Sequence, residues 1–354
     1  MPTALATPAY AALSAGAELV PHSIDRRAPG LKDVLIDILY CGVCHSDLHQ
    51  VRDEWGGSMY PMVPGHEIVG RVAEVGAEVT KWKVGDTVGV GVFTDSCRTC
   101  EACLAKEEQY CDEGMTGTYN AREREDRDYP AGVTYGGYST RITVDQEYVL
   151  RIPEGMPLDA TAPLLCAGIT TYSPLKYFGV KPGDEVAIVG LGGLGHMGVK
   201  FAKAFGARVT VLSHSPSKAE DARRLGADDF IATKDEAVFA GNRKRFDLIL
   251  DTVSAEHDLN AYLGMVKRNG TMVLVGLPNP TPVGAFALTG ARRSLAGSNI
   301  GGTKEMQEML DFCAERGIVS DIELIDIARI DESYERMLRG DVRYRFVIDC
   351  ATIR

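Results

Sequence analysis

Gly190-Leu191-Gly192-Gly193-Leu194-Gly195 is the stretch on which the reading of this chain turns. It follows Glu185-Val186-Ala187-Ile188-Val189, an apolar run of the kind buried on both faces of a parallel sheet. A helical pattern from Gly193 to Phe205 comes after it. Between strand and helix, glycines at this spacing suit a dinucleotide. The first makes the tight turn, the second admits the pyrophosphate, and the third packs helix on strand. The free N–H groups and dipole of the helix start then face the anion. A tight turn without a ligand could use the same glycines, so the strand and helix on either side carry the reading.

Working outward, Arg208-Val209-Thr210-Val211-Leu212 is the next strand, and a helix is expected near Ser217 to Leu225. Asp247-Leu248-Ile249-Leu250-Asp251 and Thr271-Met272-Val273-Leu274-Val275 continue the series. Alternating strand and helix over residues 161–297 implies a doubly wound parallel sheet, an α/β domain. An acid at the end of the second strand would hold the ribose 2′-hydroxyl of NAD and repel a 2′-phosphate. Here the segment reads Leu212-Ser213-His214-Ser215-Pro216-Ser217-Lys218, with no acid before Glu220. Ser213, Ser215 and Lys218 can donate to a phosphate and His214 can join them, which favours NADP. The serines also suit helix caps.

Residues 1–160 have another style, rich in Val, Gly and Pro. Val34–Tyr40, Ile68–Val75 and Asp86–Val92 are strand candidates, and short strands between turn glycines suggest a β-rich barrel or sandwich. The tail, 298–354, returns to that style after a helix at Lys304 to Glu315, ending in Phe346-Val347-Ile348. The chain is expected to leave its first domain, build the second and come back. A charged stretch from Ala121 to Pro130 reads as a solvated excursion.

Net charge is −11, and a surplus of acid argues against nucleic acid as a partner. No run of eighteen apolar residues offers a membrane span. Met1 to Gly16 lacks a basic segment and reads as a first strand, not a signal peptide. Nine cysteines, an odd number, argue against a disulfide framework and suit a reduced cytoplasm.

Four of those cysteines, Cys97, Cys100, Cys103 and Cys111, crowd one lobe at 95–113. Four thiolates on short loops can close a tetrahedron around a structural zinc. An iron–sulfur cluster also takes four cysteines, but the Cys-x3-Cys-Pro ending of the bacterial pattern is absent. A second set is spread wider. Cys44 follows a strand, His66 and Glu67 precede one, and Cys166 opens the nucleotide domain. Two Cys and one His form a known catalytic zinc set that leaves a position open. Each of these residues alone also suits an ordinary core or turn.

Cys44-His45-Ser46-Asp47-Leu48-His49, Tyr60–Glu67, the cysteine lobe, Leu165–Thr170 and the glycine turn, in this order, resemble the zinc-dependent medium-chain dehydrogenases/reductases. The details resemble the cinnamyl alcohol dehydrogenase subgroup, as a bacterial-type aldehyde reductase. The resemblance implies a GroES-like catalytic domain and a Rossmann domain with a cleft between them, and zinc twice per chain. It implies Cys44, His66 and Cys166 as ligands and Glu67 as their exchange partner. Ser46 would pass a proton toward the ribose and His49, with Asp47 supporting the ligands. Thr170, Thr252, Gly276, Ser298, Asn299 and Ile300 would line the NADP(H). A homodimer acting on small aldehydes and alcohols is the accompanying expectation. The segment Arg122–Asp128 departs from the plant members. Two other readings remain at this point: a zinc-free C=C reductase of the same fold, and a nucleotide-binding sensor without turnover. Trp55, Phe93 and Tyr119 are candidates for an apolar substrate pocket.

Overall fold

The computed structural model describes residues 4–125, 132–278 and 282–354. The middle of the charged excursion, 126–131, therefore lies outside the described residues, while Arg122 pairs with Val133 at its base. The chain forms two compact units, Met1–Cys166 with Gly301–Arg354, and Ala167–Ile300.

Numbered along the chain, the first unit begins with β1 (Leu5–Ala12) and β2 (Leu19–Arg26), an antiparallel pair. It continues with β3 (Asp33–Gly42), β4 (Ile68–Val75), β5 (Thr87–Val90), β6 (Phe93–Asp95), β7 (Thr116–Gly117), β8 (Arg141–Asp145) and β9 (Leu150–Arg151). The second unit holds β10 (Glu185–Val189), β11 (Arg208–Ser213), β12 (Asp229–Ala232), β13 (Phe246–Asp251), β14 (Val266–Leu274) and β15 (Ser294–Gly297). The return adds β16 (Ile322–Asp326) and β17 (Arg345–Asp349) to the first unit.

Among the described residues, the second unit is one parallel sheet in the order β12-β11-β10-β13-β14-β15. That is the 3-2-1-4-5-6 order of dinucleotide-binding sheets, whose switch point lies between its first and fourth strands. Ala187, Val189, Leu212, Phe246, Ile249 and Met272 pack with Leu259 and Leu263 of the helix Leu259–Met265. The register matters most for function. Val189 lies opposite Leu212 and Asp251, Asp251 opposite Leu274, and Leu274 opposite Gly297. Parallel pairing thus brings Gly190, Ser213, Thr252, Val275 and Ser298 into one row at the carboxyl ends of the strands.

In the first unit, β16-β17-β3-β4-β5-β9 form a sheet, with β8 added to β3. Tyr138, Ile36, Ile68, Ile142 and Phe346 are among its fully buried side chains. β17 runs antiparallel to β3, with Val347 opposite Gly42. The last strand of the chain therefore delivers Arg345 beside the loop after β3. The cysteine lobe hangs between β6 and β7.

Candidate active site and metal centres

Cys44 caps the helix His45–Val51, two residues past the end of β3. Asp47 reaches back from the first turn of that helix, and its Oδ2 accepts the Cys44 N–H at 2.8 Å. A capping residue of this kind fixes the angle at which the chain enters the helix. Asp47 Oδ1 also accepts the Gly65 N–H at 3.1 Å, and Tyr138 donates its hydroxyl to Oδ2 at 3.2 Å. One buried carboxylate thus ties the loop carrying Cys44 to the loop carrying His66.

The carboxylate also orients the imidazole. His66 Nδ1 lies 3.5 Å from Asp47 Oδ1, and Tyr119 stacks parallel on the ring with centroids 5.7 Å apart. His66 Nε2 is buried and has no hydrogen-bond partner among the described residues. A histidine whose Nδ1 is turned to a carboxylate presents its Nε2 lone pair, which is how ligating histidines are held. Burial pulls the His66 pKa down, but Asp47, Cys44 and Glu67 outweigh it and leave it at about 9, so a metal ion at Nε2 would have to displace a proton.

Cys166 follows the short helical turn Ala162–Leu165, and its Sγ lies 3.9 Å from that of Cys44. One ligand atom from each of Cys44, His66, Glu67 and Cys166 lies within 4.8 Å of every other. Sulfurs bound to one tetrahedral zinc at about 2.3 Å stand about 3.8 Å apart, so the thiol pair fits that ion. The hydrogen bond from Cys166 draws the Cys44 thiol well below its ordinary range against the effect of burial.

Glu67 completes the group in a way the sequence did not disclose. Its Oε1 accepts from Arg345 Nη2, both side chains being buried. Its Oε2 is buried without a partner among the described residues and faces Gly42, where an ideal Cβ would stand 1.9 Å from it. Only glycine at 42 leaves room for this carboxylate. Burial pushes the Glu67 pKa up to about 7, with Arg345 working in the opposite direction. Glu67 is thus an acid with one oxygen anchored on Arg345 and the other without a partner among the described residues, in the same cluster as Cys44, His66 and Cys166. Replacing Arg345 with Met should leave a buried carboxylate uncompensated. The expected loss is about 3–5 kcal/mol in denaturant unfolding, and a loss below about 1 kcal/mol would show that the pair is dispensable.

The lobe of four cysteines is equally well formed. Cys97, Cys100, Cys103 and Cys111 have sulfurs within 4.8 Å of one another, with Cys97 and Cys103 at 3.8 Å. Backbone N–H groups point at them: Cys100 N to Cys97 Sγ at 3.3 Å, and Cys97 N to Cys111 Sγ at 3.4 Å. The N–H groups of Thr99 and Cys100 bring the Cys97 thiol down to about 6. Such donors favour thiolates and hence a closed zinc site.

The other site residues lie as follows. Ser46 Oγ is 3.6 Å from Cys44 Sγ. His49 Nδ1 lies 2.5 Å from Glu54 Oε2, and its ring rests 5.0 Å from that of Trp55. Glu54 escaped the sequence reading because nothing in its spacing marks it. Phe93 is buried edge-on against Tyr148 at 5.9 Å, so it belongs to the core behind the cysteine lobe. Of the three aromatic candidates, Tyr119 stacks directly on His66, and Trp55 is about half exposed next to His49.

In the second unit, Gly190 has φ +85, and a Cβ there would strike Val253 Cγ2 at 2.7 Å. A Cβ on Gly195 would lie 2.0 Å from the Gly190 carbonyl oxygen, whereas one on Gly192 meets nothing within 4 Å among the described residues. The first and third glycines are required by the turn itself, and the second leaves open space beside Gly193. Leu194 caps the helix Gly195–Ala204 without a side-chain hydrogen bond. Leu191 is buried, and its carbonyl accepts from Lys218 Nζ at 2.7 Å, tying the phosphate-side lysine to the glycine turn. Ser213 is buried, Ser215 and Lys218 are half-buried and His214 is exposed. Thr170 is buried in the helix Ala167–Tyr177, and Thr252 donates to the Val189 carbonyl at 2.7 Å. Gly276 follows β14, Ser298 N–H donates to the Leu274 carbonyl at 3.1 Å, Asn299 is exposed and Ile300 is buried with φ 35.

Residues 30–154 match the alcohol dehydrogenase GroES-like domain and residues 193–315 match the zinc-binding dehydrogenase domain. An NADP-dependent alcohol dehydrogenase C 1 of Mycolicibacterium smegmatis is 58% identical over 348 residues, which cover 98% of each chain. The aldehyde reductase YahK of Escherichia coli is 55% identical over 349 residues, again covering 98% of each. A cinnamyl alcohol dehydrogenase of Sorghum bicolor superposes with a TM-score of 0.95 at 47% identity, covering 99% of both chains. With its GroES-like domain and its Rossmann-type parallel sheet, the chain belongs to the zinc-binding alcohol dehydrogenases, in the neighbourhood of the cinnamyl alcohol dehydrogenases.

Proposed function

We propose that this chain is an NADP-dependent alcohol dehydrogenase working as a broad reductase of aromatic, allylic and aliphatic aldehydes. The observation that carries the reading is the meeting of Cys44, His66, Glu67 and Cys166 in one buried cluster. Cys44, His66 and Cys166 would hold a zinc ion, which would supply Lewis acidity toward a carbonyl oxygen, and NADPH would supply the hydride. The zinc-free reading of a C=C reductase gains nothing from a complete and oriented ligand set.

The protein's own part is orientation and proton movement. Asp47 fixes the faces of His66 and Cys44. Ser46 Oγ, next to the Cys44 sulfur, gives the proton that the reduced oxygen takes up. His49, held by Glu54, returns it from the solvent side. Glu67 serves the ligands during exchange. Gly192 and Gly193 leave room for the pyrophosphate at the helix start, and Ser213, Ser215 and Lys218 receive the 2′-phosphate, with His214 at its edge.

Cofactor choice offers the sharpest test. Ser213→Asp places a carboxylate where the 2′-phosphate is expected. It should weaken NADPH about 100-fold while improving NADH, measured as kcat/KM over a panel of aldehydes. Unchanged NADPH preference would remove Ser213 from the phosphate site.

Two further expectations belong here. A homodimer is supported by the open edge of β15 and by Phe286, which is 90% exposed close to that edge in sequence. A reducing cytoplasm suits nine cysteines outside any disulfide, and among the described residues no helix is long and apolar enough to cross a membrane.

A further inference from the structure

His257 belongs to none of the motifs above. Its Nε2 lies 2.7 Å from Asp251 Oδ2, and its Nδ1 lies 2.8 Å from the Ala255 carbonyl oxygen. Both ring nitrogens therefore face acceptors. A carbonyl only accepts, and so does an ionised carboxylate. The ring meets both demands only as an imidazolium, donating from each nitrogen.

Asp251 is fully buried at the end of β13, where an unpaired carboxylate is costly. The groups facing the ring are Asp251 from the strand, Asp258 capping the next helix, and Tyr262 of that helix, edge-on at 5.4 Å. The Asp251 hydrogen bond raises the ring's pKa against the effect of burial, with the Ala255 carbonyl and Asp258 adding to the rise.

The same aspartate organises the sheet edge. Its Oδ1 accepts the Val253 N–H at 3.1 Å, and its carbonyl accepts those of Val275 at 2.9 Å and Gly276 at 3.0 Å. Thr252 and Val253 in turn close over Gly190. One ion pair thus anchors the ends of β10, β13 and β14 on both sides of the switch point, where parallel sheets bind their ligands.

We propose that His257 is a positioning residue for the cofactor: as an imidazolium paired with Asp251 it holds Thr252–Val253 and Val275–Gly276 as the wall under the nicotinamide half of the dinucleotide. The inference rests on the dinucleotide reading of the glycine turn. Ser213 and Lys218, on the β11 side of the turn, serve the adenosine half and do not depend on this pair.

The sign follows from the raised pKa. The pair contributes fully below the ordinary histidine pKa and is lost as pH rises through the folded-state value. The experiment titrates full-length zinc-loaded protein, wild type and His257→Phe, with NADPH and separately with 2′,5′-ADP, which carries only the adenosine half. Wild-type affinity for NADPH should fall about tenfold as pH rises from about 6 through the raised pKa of the ring, and His257→Phe should already be about tenfold weaker at about pH 6 and flat above it. Binding of 2′,5′-ADP should be the same in both proteins. Equal NADPH affinity in the two proteins, or equal loss of both ligands, overturns the proposal. Failure of wild type to bind 2′,5′-ADP would instead bring down the dinucleotide reading, and this proposal with it. Should the variant not fold, the wild-type ring decides alone. Its NMR signal must titrate above the ordinary histidine value of about 6.5, and titration at or below that value refutes the pair.

Discussion

Replacing Cys44 with alanine is expected to remove the catalytic metal and lower kcat by about three orders of magnitude or more, while the cysteine lobe keeps its own ion. Metal analysis should fall from two zinc ions per chain to one, in line with the two ligand groups. The substitution removes one of two sulfurs that stand 3.9 Å apart, and the remaining set, His66 and Cys166, is too few for a stable site. Asp47 caps the helix through the Cys44 backbone N–H, which alanine retains, so the fold should survive. NADPH binding should survive too, since the glycine turn belongs to the other compact unit. Retained NADPH binding without turnover is also what separates a dehydrogenase from a nucleotide sensor. Wild-type protein must consume NADPH when aldehyde is added, and Cys44→Ala must not. Undiminished turnover in the variant would refute the mechanism. A companion variant, Glu67→Gln, should keep zinc and lose activity less severely, because Glu67 is anchored to Arg345 and offers only its second oxygen.

The elements that could be read from the sequence are those whose signal is local. β10 and β4 coincide with the apolar and alternating runs Glu185–Val189 and Ile68–Val75. The glycine turn carries its meaning in six residues, and the cysteine lobe in fifteen. The catalytic set needed the resemblance, because Cys44, His66 and Cys166 are far apart in the chain and each suits a bland role alone. Arg345 lay beyond either route. It sits 278 residues from Glu67, and an arginine opening a strand bears no mark of a buried partner. Phe93 was left between pocket and plain packing for a related reason. Aromatic character says that a side chain seeks apolar surroundings, not which ones, and here Tyr148 supplies them. His257 was missed because its role exists only where parallel register has brought three strand ends together.

A second large effect is expected in the lobe of Cys97, Cys100, Cys103 and Cys111, where the readout is stability and not chemistry. Apart from the sulfurs the lobe is held by polar contacts, Arg98 with Asp95 and Asp145 and Glu108 with Thr303, and by little apolar packing. Its 3-10 turn, Glu108–Tyr110, spans three residues, and its α-helix, Glu101–Leu104, spans four with Cys103 as the helix's one buried side chain. The cluster around it consists of the cysteines themselves. Short segments of this kind cannot bury enough apolar surface to offset the entropy of ordering them, so metal binding supplies much of the free energy. Structural zinc contributes on the order of 10 kcal/mol in small isolated domains; here, where β6 and β7 already hold the ends of the lobe, about 3–5 kcal/mol is a reasonable expectation. Cys103→Ser should therefore lower Tm by about 10 °C and release one zinc ion per chain on mild chelation. Ser96 and Tyr148 should transmit the damage. Ser96 Oγ lies 3.1 Å from Cys103 Sγ and 2.7 Å from the Tyr148 hydroxyl, so the cysteine is wired to the β-rich unit behind it. The surviving folded fraction should keep its kcat, because the two clusters share no residue. Loss of kcat in proportion to zinc, with Tm unchanged, would reverse the assignment of the two sites. Unchanged Tm with full zinc retained would mean that three sulfurs suffice to close the lobe.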